Sequence, residues 1–188
     1  MNVLVACEYS GAVRDAFIKK GHNALSADIL PTEVDGPHWT GDVFELLKIQ
    51  PKWDLMVAHP PCTYLTVAGN RWYADRPDLI SSAVSFVRKL ADLDINKIAI
   101  ENPVGRLSTL WRKPDQCIQP YLFGHPEPKK TGLWLKNLPK LQPTKVVEPG
   151  EYHTTPSGKR IPVWYSNNKK LRDKTFQGIA DAMAEQWG

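Results

Sequence analysis

Apolar runs of strand length alternate with amphipathic stretches through the first hundred residues. Val3 to Cys7 is an unbroken apolar run, and Ala12, Val13, Ala16 and Phe17 then recur at helical spacing up to Lys20, where Gly21 stops the helix. His22 to Asp28 reads as a second strand ending on an acid. Gly41-Asp42 opens a short helical piece over Val43 to Lys48, and Trp53 to His59 reads as a third strand. A long loop, 60 to 77, is rich in Pro, Gly and aromatic residues. Asp78 to Leu93 is the strongest helix, with Leu79, Ala83, Phe86, Val87 and Leu90 on its apolar face and Asp78 near its positive end. Lys97 to Ile100 is a fourth strand, ending in Glu101-Asn102-Pro103.

The alternation predicts an α/β chain with a doubly wound, mostly parallel sheet and helices on both faces. The last third breaks the pattern with nine prolines from Pro114 to Pro162. It offers a strand over Thr131 to Leu135 and a hairpin over Tyr152 to Trp164 that turns at Pro156-Ser157-Gly158. A final helix over Asp173 to Trp187 turns Phe176, Ile179, Ala180, Met183 and Trp187 inward. The expected division is one domain: a core over 1–128, a substrate-binding segment over 129–172 and a closing helix over 173–188.

The 188 residues are enough for one well-buried domain, and 42% apolar with 23% charged residues excludes disorder, collagen and coiled coil. No apolar run approaches the roughly 18 residues of a membrane span. The first residues carry no basic leader, and three cysteines (Cys7, Cys62, Cys117) suit reduced thiols, so the expected location is the cytoplasm, with no membrane and no metal. The net charge of +4 is unevenly spread. Residues 129–174 hold eleven Lys or Arg against three Asp or Glu, together with Trp134, Tyr152, Trp164 and Tyr165. Cations interleaved with aromatics suit a polyanion whose bases can be stacked upon, and equally a solvating surface around a hairpin.

In doubly wound sheets the ligand lies at the carboxyl ends of the strands, which here are Cys7 to Gly11, Asp28, His59 to Cys62, and Glu101-Asn102. Tyr9-Ser10-Gly11 between a strand and a helix suits a nucleotide-like cofactor, since Gly permits close approach and the helix N-terminus is polar. Neither G-x-G-x-x-G nor G-x-x-x-x-G-K occurs, so no dinucleotide fingerprint and no phosphate loop is present. Asp28 is either an acceptor for ribose hydroxyls or a plain loop acid. Cys62, stiffened by Pro60-Pro61, is either a nucleophile or a buried small hydrophobe. His59 and Cys62 have metal-like H-x-x-C spacing, but Cys117 and His125 pair poorly with them. A zinc nucleobase deaminase would need P-C-x-x-C together with H-x-E, and P-C-x-x-C is absent. A thiolate beside a carboxylic acid, Glu101, whose pKa burial would raise, suits conjugate attack on an electron-poor ring such as cytosine.

These residues resemble the cytosine-C5 DNA methyltransferases, which use S-adenosylmethionine. Cys7 to Arg14 is similar to the family's first motif, with Tyr9 at its Phe, Gly11 at its first Gly and Val13 replacing its second. Asp28 stands at the ribose-binding acid, and Gly41-Asp42-Val43 resembles the motif whose Asp contacts adenine. Pro61-Cys62 matches the Pro-Cys of the nucleophile, with Thr63 for the usual Gln, and Glu101-Asn102 matches the Glu-Asn pair. Thr175 to Ala184 loosely resembles the closing helix. The resemblance implies a Rossmann-like methyltransferase fold and catalysis by Cys62, Glu101 and Asn102. It implies cofactor contacts from Tyr9, Ser10, Gly11, Asp28, Ile29, Asp42 and Pro61. The family's Gln-x-Arg-x-Arg motif is absent, and Arg71, Lys129, Lys130, Lys159 and Arg160 are its candidate replacements in holding substrate. The large target-recognition domain is absent too.

Three functions follow as alternatives: C5 methylation of DNA with little sequence preference, C5 methylation of free cytosine nucleotides, or a catalytically inactive nucleic-acid binder. The loop Thr63 to Arg76 is expected to close over a bound base.

Overall fold

The computed structural model describes residues 1–66, 73, 75–158, 160–164 and 172–188. The elements follow the alternation read from the sequence. They are β1 (Asn2–Ala6), α1 (Ala12–Lys19), β2 (Asn23–Asp28), β3 (His38–Thr40), α2 (Val43–Ile49) and β4 (Leu55–Ala58), then α3 (Pro77–Ala91) and β5 (Lys97–Pro103). The last third adds α4 (Leu107–Leu110), β6 (Gln116–Ile118), β7 (Thr131–Lys136), the β8 (Tyr152–Thr154) and β9 (Arg160–Pro162) hairpin, and α5 (Gln177–Trp187).

Seven strands form one sheet in the order β3-β2-β1-β4-β5-β7-β6. The first five are parallel, while β7 runs antiparallel between β5 and β6. The order departs in both directions from β1, so the connections change sides between β1 and β4. That crevice, at the carboxyl ends, is where doubly wound sheets bind ligands. Among the described residues no helix is long and apolar enough to cross a membrane.

Period-two side-chain alternation explains why both faces are covered. Val3 and Val5 of β1 pack with α1 and α5, while Leu4 and Ala6 pack with α2 and α3. Leu4, Leu55, Met56, Ile98 and Ile100 are fully enclosed. Each such side chain is worth about 1.5–3 kcal/mol of burial, so the strand ends are fixed by the stiffest part of the molecule.

Three short elements were not legible in the hydrophobic pattern: β3, β6 and α4. Each has three or four residues, too few to display a period. The final helix begins at Gln177 rather than near Asp173, with Phe176 as its N-cap, which leaves residues 172–176 as a turn and connector outside the helix. On α3 the enclosed positions are Val84, Val87 and Leu90, and the outer Leu79, Ala83 and Phe86 are half-buried.

Candidate active site

The turn after β1 is shaped by two residues with left-handed backbone, Cys7 at φ 58° and Gly11 at φ 76°. A Cβ at Gly11 would stand 2.6 Å from the Arg14 guanidinium and from Val34, so glycine is needed for space as well as conformation. Glu8 folds back under this turn and is buried. Its carboxylate accepts from the Val13 amide at 2.7 Å, the Arg14 amide at 3.2 Å and the Ser10 hydroxyl at 3.3 Å. The first amides of α1 are therefore bonded by the chain's own carboxylate. Of the amides at this helix start, those of Val13 and Arg14 are already taken. Ser10 borders a narrow crevice with Cys7, Glu8 and Tyr9.

Arg14, fully buried, ties the chain after β2 against the turn. It donates to Ser26 and Thr32 at 3.3 Å each and to the Asp35 carbonyl at 3.1 Å. The Glu33 amide donates to the Tyr9 carbonyl at 2.9 Å. Ile29 and Leu30 are thereby held beside Asp28. Asp28 Oδ1 accepts from the Leu30 amide at 2.9 Å, and its other oxygen has no hydrogen-bond partner among the described residues.

The turn after β4 is built differently. Pro60 and Pro61 carry no amide hydrogens, so the backbone offers carbonyls only. Buried Asn102, at the end of β5, donates to the Pro60 carbonyl at 2.7 Å. The Cys62 carbonyl accepts from the Leu65 amide at 2.9 Å and the Thr66 amide at 3.0 Å, and the Leu65 carbonyl accepts from Arg106 at 2.8 Å. Cys62 is fixed on both sides. Its thiol is pushed up from its ordinary pKa by burial first, then by the charges of Glu101 and Asp173. Cys7 is pushed up to about 12 by burial, Asp28 and Asp42. Both are protonated thiols at neutral pH.

Glu101 corrects a second expectation. Burial alone would raise its pKa, but a hydrogen bond from His59, the charge of Lys129 and a hydrogen bond from Thr131 outweigh it and hold the carboxyl below its ordinary value. His59 Nδ1 lies 3.1 Å from Glu101 Oε2. Lys129 and Thr131 arrive because β7 pairs antiparallel with β5, setting Thr131 opposite Pro103. Lys129 Nζ also donates to the Lys174 carbonyl at 3.1 Å, and Thr175 lies 3.4 Å from His59 Nδ1. Lys174 pairs with Glu33. The 172–176 segment is thus tied to both halves of the site. Gly178 follows it; its amide donates to His125 Nε2 at 2.9 Å, and a Cβ there would collide with the Phe123 carbonyl.

These parts enclose a cavity of about 390 Å³. Tyr9, Asp28 and Ile29 line one side, and Pro61, Cys62, Glu101, Asn102 and Lys129 line the other. A larger groove of about 940 Å³ between α3 and α4 contains none of the expected site residues. Asp42 does not border the cavity; its Oδ1 caps α2 by accepting from the Phe44 amide at 2.8 Å. Lys130 is exposed and outside the lining, and Arg160 stacks on Tyr152 at 4.6 Å on the hairpin. Arg71 and Lys159, and most of the loop expected to close over a base, lie outside the described residues. Sequence reasoning missed His59 and Thr131 as partners of Glu101, and Asp173 as a neighbour of Cys62. Only His59 carried a signal, as the polar residue that ends an apolar strand. Among the described residues no cluster of three or more His, Cys, Asp or Glu is placed to hold a metal ion.

No family model and no curated protein matches the chain in sequence. Solved structures do match in shape. A prophage-encoded protein of E. coli named as a DNA modification methyltransferase superimposes with a TM-score of 0.52 at 14% identity, over 79% of this chain and 52% of its own. The Entamoeba histolytica methyltransferase EhMeth gives 0.52 at 14% identity, over 78% of this chain and 57% of its own. Spodoptera frugiperda DNMT2 gives 0.50 at 17% identity, over 79% and 57%. The chain spans little more than half the length of these structures. At such identities the likeness is one of architecture, and this chain has the Rossmann-like fold of those methyltransferases, as the motif resemblance implies.

Proposed function

We propose that this protein transfers a methyl group from S-adenosylmethionine to C5 of cytosine, in DNA read with little sequence preference, through a covalent bond between Cys62 and C6. The observation that carries the reading is the convergence of Cys62, Glu101 and Asn102 on one cavity whose far side holds Asp28 and Ile29. That cavity lies at the switch point of a methyltransferase-like sheet.

The cofactor fits the residues present. The unbonded oxygen of Asp28 is an acceptor for ribose hydroxyls, Ile29 and Leu30 supply apolar surface, and Tyr9 closes the space beside them. When bound, S-adenosylmethionine supplies an electrophilic methyl group. The Cys62 thiol first gives its proton to solvent water. Its sulfur then adds to C6, the displaced electron pair moves to N3, N3 takes up a proton, and the Glu101 carboxylate accepts from N3–H and the amino group. C5 is left electron-rich and takes the methyl group. Loss of the C5 proton and breakage of the S–C6 bond restore Cys62. Asn102 keeps the Pro60-Pro61 backbone in place throughout, and Lys129 balances the carboxylate. Of the candidate replacements for the missing basic motif, the cavity position of Lys129 favours it over Lys130 and Arg160.

The division into a core over 1–128, a substrate segment over 129–172 and a closing helix over 173–188 is part of the same reading. It is supported by Lys129 and Asp173 meeting at the cavity. Free thiols at Cys7, Cys62 and Cys117 suit the cytoplasm of a bacterium or a phage-infected cell. A second substrate, the free cytosine nucleotide, is favoured by one observation. Lys129 and Arg172 both line the cavity, a cation pair suited to a single phosphate.

Transfer of labelled methyl groups from S-adenosylmethionine to duplex DNA, single-stranded DNA and cytosine nucleotides, in parallel, tests the reading. Label at C5 of DNA cytosine is expected. Label confined to nucleotides selects the second substrate, and label in none of them overturns the function.

A further inference from the structure

His59 replaces nothing that the motif resemblance names, yet it touches the residue that must handle N3. Glu101 is held ionised, and a carboxylate only accepts hydrogen bonds, so the hydrogen in the 3.1 Å contact belongs to His59 Nδ1. Thr175, 3.4 Å from the same nitrogen, fixes the ring from the other side. The second ring nitrogen, Nε2, is buried and has no hydrogen-bond partner among the described residues. Packing roles for buried histidines satisfy both nitrogens, because an unmade buried bond is costly. An unpaired nitrogen beside a reactive cavity is instead a place where a proton can be added and removed.

We propose, on the methyl-transfer reading above, that His59 is a positioning residue that aims Glu101 at the cytosine edge and supplies the proton that N3 takes as Cys62 adds to C6. The step balances. The sulfur lone pair makes the S–C6 bond, the displaced pair moves to N3, and N3 gains one proton. With a second proton taken up at Nε2, the His59–Glu101 pair passes from zero net charge to minus one as that proton goes to N3 and the thiolate charge is consumed. When the S–C6 bond breaks, the N3 proton returns to the pair. The charged and titratable groups facing His59 and Glu101 are Cys7, Glu8 and Tyr9 from the first turn, Asp28 from β2, Cys62 from the β4 turn, Lys129 before β7, and Arg172 and Asp173 before α5. Of these groups only Lys129 and Arg172 are permanent cations.

Two variants separate positioning from proton supply. His59→Asn keeps an N–H donor toward Glu101 but cannot titrate, and His59→Phe removes both functions. The first readout is the Glu101 carboxyl titration by carbon NMR, which needs neither substrate nor turnover. The second is the rate at which a 5-fluorocytosine substrate is trapped between about pH 5 and 8, the range in which histidine titrates. His59→Phe is expected to raise the Glu101 titration and to slow trapping by up to about 10²-fold, with S-adenosylmethionine binding unchanged. His59→Asn is expected to keep the low Glu101 titration while losing the pH dependence of trapping. A Glu101 titration unmoved in His59→Phe, or wild-type rate and pH profile in His59→Asn, would overturn the proposal. A wild-type chain that traps no cytosine overturns the methyl-transfer reading itself, and the Glu101 titration then decides the pairing alone.

Discussion

The turns after β1 and β4 leave neighbouring strands at the same edge of the sheet, and they handle their polar backbone in opposite ways. The first keeps its amide hydrogens, and two of those at the start of α1, on Val13 and Arg14, go to the buried Glu8 carboxylate. The second lacks amide hydrogens at Pro60 and Pro61, and a neighbouring side chain, Asn102, holds its carbonyl. One turn carries a carboxylate across the first amides of its helix; the other is stiffened by two prolines, with a thiol presented to the cavity. A glycine turn leading into a helix is therefore not in itself an anion site. What matters is whether the chain has already filled the helix start.

The contrast can be broken at several points. The largest expected effect is on rate. Glu101→Gln should slow methyl transfer by on the order of 10² to 10⁴, the usual worth of a group positioned for proton transfer, seen as the rate constant in single-turnover assays. Next is stability at the first turn. Glu8→Ala leaves the Val13 and Arg14 amides unpaired and should cost about 2–4 kcal/mol in urea unfolding. An unchanged midpoint would show that the carboxylate does not hold the turn. Asp28→Ala should weaken S-adenosylmethionine binding roughly ten- to hundredfold by calorimetry, since about 1.5–3 kcal/mol goes with a charged acceptor. The smallest effect is on the pH dependence of stability. The Glu101 carboxyl is held below its ordinary value of 4.5, so its contribution is present above that pH and is lost as pH falls through the lowered value. The stability gap between wild type and Glu101→Gln should therefore shrink on acidification below about pH 4.5 and stay flat above it.

Apart from the three-residue β3, the strands and helices of the first hundred residues were legible because each spans at least one full period of its pattern. The cavity edges Asp28, Cys62 and Glu101 were legible as polar residues ending apolar runs. Glu8 was not, because its role depends on folding back onto amides five and six residues ahead, which no periodicity encodes. Lys129 was legible only as one of several cations. What selects it is the antiparallel insertion of β7 beside β5, a pairing that the proline-rich last third conceals. His59 was visible as a strand-end residue, but its partner lies 42 positions away on β5.

The central claim is that the rigid second turn presents a nucleophile. Its most direct test is mass spectrometry of the protein incubated with S-adenosylmethionine and 5-fluorocytosine-containing DNA, in duplex and single-stranded form, or the corresponding nucleotide. Fluorine at C5 cannot leave as a proton does, so the covalent intermediate should accumulate. The expected result is a cofactor-dependent adduct mapped to Cys62 and absent in Cys62→Ala. No adduct with any cytosine form, or an adduct on Cys7 or Cys117 instead, would contradict the account.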